Sequence, residues 1–312
     1  MNKFEIKIAQ PRGFCAGVDR AIEIVEQAIK IFGGPIYVRH EIVHNQRVVN
    51  DLKEKGTIFV EDINEVPDDS ILIFSAHGTG KDLLEKARSR KLKVIDAACP
   101  LVTKVHMEAI KYFQQGFSIV LIGHEGHIEV EGTMGQLPKG KIKLVEKVED
   151  IKKLPFSKDE NVAVITQTTL SVDDTFEIME SLKEEYMNLV TPKADDICYA
   201  TQNRQDAVKN LAKECDLILV LGAKNSSNSN RLREVGEKCG IDSYLIDDAS
   251  QLNLSWLKDV SSVGITAGAS APEVLINDLI SKLVNFGGAL PKFKEGKVEK
   301  VSFPLPVEIQ NQ

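Results

Sequence analysis

The sequence predicts an α/β protein made of three similar units, each a mainly parallel sheet flanked by helices. Three observations predict it. Strand-like apolar runs alternate with amphipathic helical stretches. Polar loops rich in His, Ser, Thr and Asn follow the strands, where parallel sheets collect ligands. A cysteine sits at the entry to a helix three times, at Cys15, Cys99 and Cys198. From each cysteine to the polar loop after the next strand is 29, 28 and 28 residues, ending at His44, His127 and Ser226. To the second polar loop it is 62, 69 and 72 residues, ending at His77, Thr168 and Ser270. The units are expected at 1–97, 98–194 and 195–283, followed by a C-terminal tail at 284–312. Packed about a common axis, they would be pseudo-threefold and would bring the three cysteine turns to one centre.

The elements follow in order. Phe4–Ala9 alternates like a strand and delivers the Gly13-Phe14-Cys15-Ala16-Gly17 turn. Val18, Ala21, Ile22, Val25 and Ile29 then mark the apolar face of a helix, which Gly33-Gly34-Pro35 stops. Strands are expected at 36–39, 58–60 and 71–74, the last opening into Ser75-Ala76-His77-Gly78-Thr79-Gly80 before a helix near Lys81. The pattern restarts with a strand at 93–96 and the Cys99-Pro100 turn. Proline suits the first helical position. Val102, Val105, Ala109 and Phe113 form the next apolar face. Strands at 118–122 and 162–165 open into His124–Glu129 and Thr166–Ser171. The two-residue spacing of His127 and Glu129 would put both on one face of an extended loop. The third copy runs from Cys198 through a helix with Ala207, Val208 and Leu211. Its strands at 217–221 and 263–266 open into Gly222–Asn228 and Ala267–Pro272.

Composition narrows the function classes. The chain has 312 residues, 39 basic against 46 acidic side chains and a net charge of −7. That balance disfavours a nucleic-acid binder. No apolar run approaches the roughly 18 residues of a membrane helix. Met1-Asn2-Lys3-Phe4 leads straight into the first strand, so no signal peptide is expected and the chain reads as cytoplasmic. The five cysteines then read as thiols or metal ligands rather than disulfides. Cys215, Cys239, His40 and His106 read as structural.

Each of the three cysteines stands where a helix dipole favours thiolate over thiol. Structural zinc usually takes four ligands, often with close cysteine pairs, and no such pair occurs. An iron–sulfur cube is normally held by four cysteines. With three, one iron keeps an open position. The residues leave two other readings open. One is a metal-dependent phosphohydrolase using His44, His77, His124 and His127, which leaves the cysteine turns unexplained. The other is a non-catalytic iron–sulfur sensor, which leaves the Ser, Asn and His loops idle.

Nine stretches carry a resemblance. They are Gly13–Ile22, Glu41–Asn45, Ser75–Gly78, Ala98–His106, Gly123–Thr133, Thr166–Ser171, Ile197–Thr201, Lys224–Arg231 and Ala267–Pro272. Together, in this order, they resemble the 4-hydroxy-3-methylbut-2-enyl diphosphate reductase (LytB) family, from about residue 8 to about 285. The chain departs from the family pattern at Ala98 and Ile128, where Thr and Pro are usual, and in the loop after His77.

The resemblance implies the last step of the methylerythritol phosphate route to isoprenoids. That step is reductive dehydroxylation of an allylic alcohol to isopentenyl and dimethylallyl diphosphate. It implies Cys15, Cys99 and Cys198 as the ligands of one 4Fe–4S cluster per chain. It places the diphosphate against His44, His77, Ser226, Ser227, Asn228 and Ser270, with His127 nearby. Thr168 and Glu129 would stand beside the C4 hydroxyl, Glu129 as proton donor. Electrons would come singly from an external donor such as ferredoxin or flavodoxin, since no flavin or dinucleotide motif is present. A monomer is expected. The residues agree: Ser, Asn and His supply the donors a diphosphate needs without a P-loop.

Overall fold

The computed structural model describes residues 3–192 and 195–310. Met1 and Asn2, and the expected boundary residue Ala194, lie outside the described residues. The first stretch supplies β1 (Glu5–Ile8), α1 (Ala16–Phe32), β2 (Ile36–Arg39), α2 (Gln46–Glu54), β3 (Thr57–Val60), β4 (Ile71–Phe74), α3 (Lys81–Ser89) and β5 (Lys93–Asp96). The second supplies α4 (Pro100–Gln114), β6 (Ser118–Ile122), α5 (Ile128–Met134), β7 (Ile142–Val145), α6 (Val148–Ile151), β8 (Asn161–Thr166), α7 (Val172–Glu185) and β9 (Asn188–Val190). The third supplies α8 (Tyr199–Ala212), β10 (Leu217–Leu221), α9 (Ser227–Lys238), β11 (Asp242–Ile246), β12 (Ser262–Ala267), α10 (Glu273–Phe286), β13 (Lys292–Phe293) and α11 (Val307–Gln310).

The strands form three sheets, ordered β11-β10-β12-β1-β13, β3-β2-β4-β5 and β7-β6-β8-β9. Every pairing between these strands is parallel. Three parallel α/β sheets are what the alternating pattern predicts. β1 comes first in sequence but pairs with β12 and β13 rather than with β2–β5. By compactness the chain divides into two units. One contains residues 3–18, 44–48 and 199–302; the other contains 19–43, 49–192, 195–198 and 303–310. The five-stranded sheet lies in the former, both four-stranded sheets in the latter.

Burial on both faces explains the continuous apolar strands. In β10, Leu217, Leu219 and Leu221 pack with Leu275, Ile276, Leu279 and Leu283 of α10. Ile218 and Val220 face the other way, against Val208 and Leu211 of α8 and Leu232 and Val235 of α9. β6 and β8 repeat the scheme. Val120, Ile122, Val162 and Val164 meet Ile178 and Leu182 of α7, while Ile119, Leu121, Ala163 and Ile165 meet Val105 and Ala109 of α4. Each fully buried side chain of this kind contributes about 1.5–3 kcal/mol.

The structure corrects three local expectations. In α1 the buried stripe is Val18, Ala21, Ile24, Val25 and Ala28, with Ile22 and Ile29 half-buried. At about 100° per residue, Ile22 and Ile29 fall at the edge of that face. In α4 the face turns toward His106 and Tyr112, leaving Phe113 only partly buried. His127 and Glu129 do not lie on an extended loop. His127 caps the short helix α5 and Glu129 lies in its first turn. Within the expected tail, β13 joins the sheet beside β1.

Small residues dock α5. A side chain at Gly132 would meet the Gly78 carbonyl oxygen at 3.0 Å, and one at Gly80 would meet Gly135 Cα at 3.1 Å. The close approach is sealed by Lys81 N–H to the Gly135 carbonyl at 3.0 Å and Gln136 Nε2 to the Thr79 carbonyl at 2.8 Å. Gly132→Ala must push backbone against backbone. It is expected to cost about 1–3 kcal/mol, read as a lower urea midpoint at unchanged slope.

Candidate active site

β8 ends at Thr166, and the loop behind it turns Thr168 toward α5. Thr168 N–H donates to Glu129 Oε1 at 2.6 Å, and Thr168 Oγ1 lies 3.0 Å from Oε2. Both residues are buried, Glu129 at 3% exposure. Burial pushes the Glu129 carboxyl up to about 7 from its ordinary 4.5; the two Thr168 bonds pull it down and the charge of Asp196 adds to the rise. At neutral pH this acid can therefore hold or release a proton. His127 Nδ1 accepts the Glu129 backbone N–H at 3.1 Å, which leaves the proton of the neutral ring on Nε2. The rings of His127 and His77 meet edge-on at 6.3 Å. Ser75 Oγ lies 3.2 Å from His77 Nδ1.

The cysteine turns share one local design. Cys99 is the N-cap of α4, with Pro100 in the first turn. Cys15 and Cys198 stand immediately before α1 and α8. All three are half-buried thiols. Cys99 N–H donates to the Ala76 carbonyl at 2.9 Å, and Cys198 N–H to the Thr168 carbonyl at 3.0 Å. Thr168 thus holds Glu129 by its N–H and hydroxyl and the Cys198 turn by its carbonyl. The Cys15 turn is reached through Gly13, whose φ of +65° suits glycine and whose N–H donates to the Ala267 carbonyl at 3.1 Å.

A second set of candidates gathers at the start of α9. Ser226 caps it, accepting the Ser229 N–H at 3.3 Å. Asn228 lies in the first turn with both its amide oxygen and its amide nitrogen buried and lacking a hydrogen-bond partner. A buried amide with neither end satisfied is costly. It fits a site completed by a polar ligand. Asn225 Nδ2 lies 3.3 Å from His44 Nδ1, and Ser270 Oγ donates to the His44 carbonyl at 2.9 Å. Ser227 is the first residue of α9, where backbone N–H groups and the helix dipole favour an anion. The sequence candidates therefore fall into two groups, His44, Ser226, Ser227, Asn228 and Ser270 in one compact unit, and His77, His127, Glu129 and Thr168 in the other.

Several residues take other roles. His106 is buried beneath the Gly78 turn, where a side chain at Gly78 would meet its Cε1 at 2.6 Å. Burial drops this ring from 6.5 to about 4, so it is a neutral core histidine. His124 turns toward Glu146 at 3.7 Å. Lys224 is exposed, and Cys215 is a core thiol that burial pushes up to about 11. The sequence reading missed Asp196 and Glu108. Asp196 is buried, accepts the Thr166 N–H at 3.0 Å and receives Lys104 Nζ at 3.0 Å. Burial, reinforced by Asp196, pushes Glu108 up to about 7. The only sequence signal was an acidic pair just before Cys198.

Three parallel α/β sheets, thiols at three helix starts and a buried acid poised near neutrality point to a class, the α/β enzymes. The chain belongs to the LytB protein family, whose family model matches residues 6–284. A 4-hydroxy-3-methylbut-2-enyl diphosphate reductase of Acinetobacter baumannii is 55% identical over 309 residues, covering 98% of both chains. One from Alcanivorax borkumensis is 55% identical over 305 residues, covering 97% of this chain and 98% of its own. Among solved structures, the E-1-hydroxy-2-methyl-but-2-enyl-4-diphosphate reductase of Plasmodium falciparum is 38% identical. It superposes with a TM-score of 0.93 over 98% of this chain and 97% of its own. Another, described as the terminal enzyme of the non-mevalonate pathway, is 35% identical with a TM-score of 0.65 over 90% of this chain and 99% of its own. Among the described residues no helix is long and apolar enough to cross a membrane.

His106 gives a stability test with a definite sign. Between its unfolded value of 6.5 and its folded value of about 4, the unfolded chain binds a proton that the folded chain does not. Acid therefore destabilises through this ring as pH falls across that window. His106→Gln is expected to flatten that part of the stability–pH curve relative to the parent in urea titrations.

Proposed function

We propose that this chain reduces (E)-4-hydroxy-3-methylbut-2-enyl diphosphate to isopentenyl and dimethylallyl diphosphate, as an iron–sulfur enzyme. The observation that carries the reading is the buried Glu129 carboxyl, raised to about 7 and bonded to Thr168. Its setting is a chain 55% identical over nearly its full length to enzymes named for this reaction. The donor chemistry fits the cluster that the family implies. Cys15, Cys99 and Cys198 offer three thiols at helix starts, and cysteine sulfurs are the usual protein ligands of iron–sulfur clusters. As the resemblance implies, these three residues would hold the cluster. When bound, the cluster supplies single electrons and a Lewis-acidic iron.

The chain's own residues supply binding and protons. Ser226, Ser227, Asn228, Ser270 and His44 offer donors to the diphosphate, with the α9 dipole adding positive potential. The resemblance also implies His77 and His127 as imidazole donors. Glu129 Oε1 already accepts the Thr168 N–H, so the acid proton belongs on Oε2. From there it passes to Thr168 Oγ1, and the threonine hydroxyl passes its own proton to the departing C4 oxygen. The balance is one allylic alcohol, two electrons and two protons in, and one water and one alkene diphosphate out. The reading further takes the three copies at 1–97, 98–194 and 195–283 as its building units, with the tail at 284–312. It takes a ferredoxin- or flavodoxin-like protein as electron donor, and a cytoplasmic monomer as the working form.

Anaerobic turnover of the allylic diphosphate with a low-potential donor tests this. Glu129→Gln is expected to lower kcat by about 10²–10⁴-fold with KM little changed. Because the protonated acid is the active form, kcat of the parent should fall above pH ~7, about tenfold per unit. Absence of turnover in iron-replete parent protein, or zinc as its sole metal, would sink the assignment.

A further inference from the structure

Each cysteine turn is gripped from behind by a cation on a helix that starts at a different cysteine. Arg20 lies five residues after Cys15, on α1, yet its Nη1 donates to the carbonyls of Ala98 at 3.1 Å and Ala97 at 3.5 Å, the two residues before Cys99. Lys104 lies five residues after Cys99, on α4, yet its Nζ donates to the Asp195 carbonyl at 3.3 Å and Asp196 Oδ1 at 3.0 Å, just before Cys198. Arg204 lies six residues after Cys198, on α8. Its Nε and Nη2 donate to the Gly13 carbonyl at 3.1 and 2.7 Å, and Nη2 to the Phe14 carbonyl at 3.1 Å. Those are the two residues before Cys15. The order is cyclic: the first helix serves the second turn, the second helix the third, and the third helix the first.

We propose that Arg20, Lys104 and Arg204 are positioning residues, each fixing the backbone of the turn that presents the next cysteine of the cycle. The proposal rests on the assignment of the three cysteines as ligands and deepens it. A trans peptide is planar. Holding the Phe14 or Ala98 carbonyl therefore sets the opposite direction of the cysteine N–H and the entry into the helix. Arg204 is fully buried, and a charge is almost never placed so without a partner. Its partner is Glu299, with Nη1 to Oε1 at 3.1 Å, and Asn203 Nδ2 bonds the same carboxylate oxygen at 2.9 Å. Arg20 is held in turn by the Pro304 carbonyl, 2.7 Å from its Nε. The C-terminal segment, which no motif marks, thus braces both arginines. A planar guanidinium can span two carbonyls, whereas the Lys104 ammonium acts as a point charge.

Hydrogen exchange on the full chain, purified anaerobically and read by mass spectrometry on peptides covering each turn, tests this. Arg20→Gln is expected to speed exchange about fivefold or more in the turn before Cys99, and less than about twofold in the Cys15 turn that its own helix follows. Lys104→Gln should act in the same direction, less strongly, on the turn before Cys198. Arg204→Lys should act on the turn before Cys15. Should Arg204→Lys fail to fold, Glu299→Gln carries the same expectation, since it removes the partner charge from the surface side. No change in the turn reached, or an equal change in all three turns, overturns the proposal. Iron and acid-labile sulfide in the parent are measured alongside. Their absence would defeat the ligand assignment, while the exchange pattern would still decide whether the cations hold the turns.

Discussion

Thr168 is the joint that ties the Glu129 carboxyl to the Cys198 turn. It offers three polar groups, and all three are committed. The N–H and hydroxyl hold the Glu129 carboxyl, and the carbonyl receives the Cys198 N–H. A buried carboxyl is costly when charged and far less so when neutral. Two good hydrogen bonds temper that cost without abolishing it, and the neighbouring Asp196 raises it again. The outcome is an acid near neutrality rather than a permanent carboxylate or a permanently protonated group. A structural ion pair would have given the opposite shift.

The rest of the fold serves to place such joints. In each sheet the strands run parallel, so their loops open on one side and the following helices point their positive ends there. Thr168 follows β8, His77 follows β4, and Ser270 follows β12. Short-range packing then fixes the angles. α5 carries Glu129 and spans only 128–134, too short to be stable alone. It is held because glycines at 80, 132 and 135 let its backbone touch the 78–80 loop.

Much of this was legible in the amino-acid sequence. Central strands such as 71–74, 118–122 and 217–221 read directly, because burial on both faces demands uninterrupted apolar residues. The cysteine turns read from their spacing, and Pro100 marked a helix start. What did not read had physical causes. α5 has too few residues to show a period, so the sequence around His127 and Glu129 reads as extended. β1 pairs with a strand more than 250 residues later, a long-range choice that no local pattern records. The burial of Arg204 was hidden because an arginine in a helical pattern normally marks the solvent face, and Glu299 sits in a stretch of alternating charges that reads as solvated. The face of α1 reads correctly at Val18, Ala21 and Val25, but Ile22 and Ile29 are apolar at its margin and draw the expected stripe away from Ile24 and Ala28.

The most direct test is an infrared titration of Glu129 itself. Its protonated carboxyl band is assigned by its loss in Glu129→Gln, and followed against pH in the otherwise native chain. The account predicts that this band persists through mildly acidic pH and disappears with a midpoint near 7. A midpoint near 4.5, the ordinary value for a glutamate, would mean that the site holds a carboxylate at neutral pH and has no proton to give.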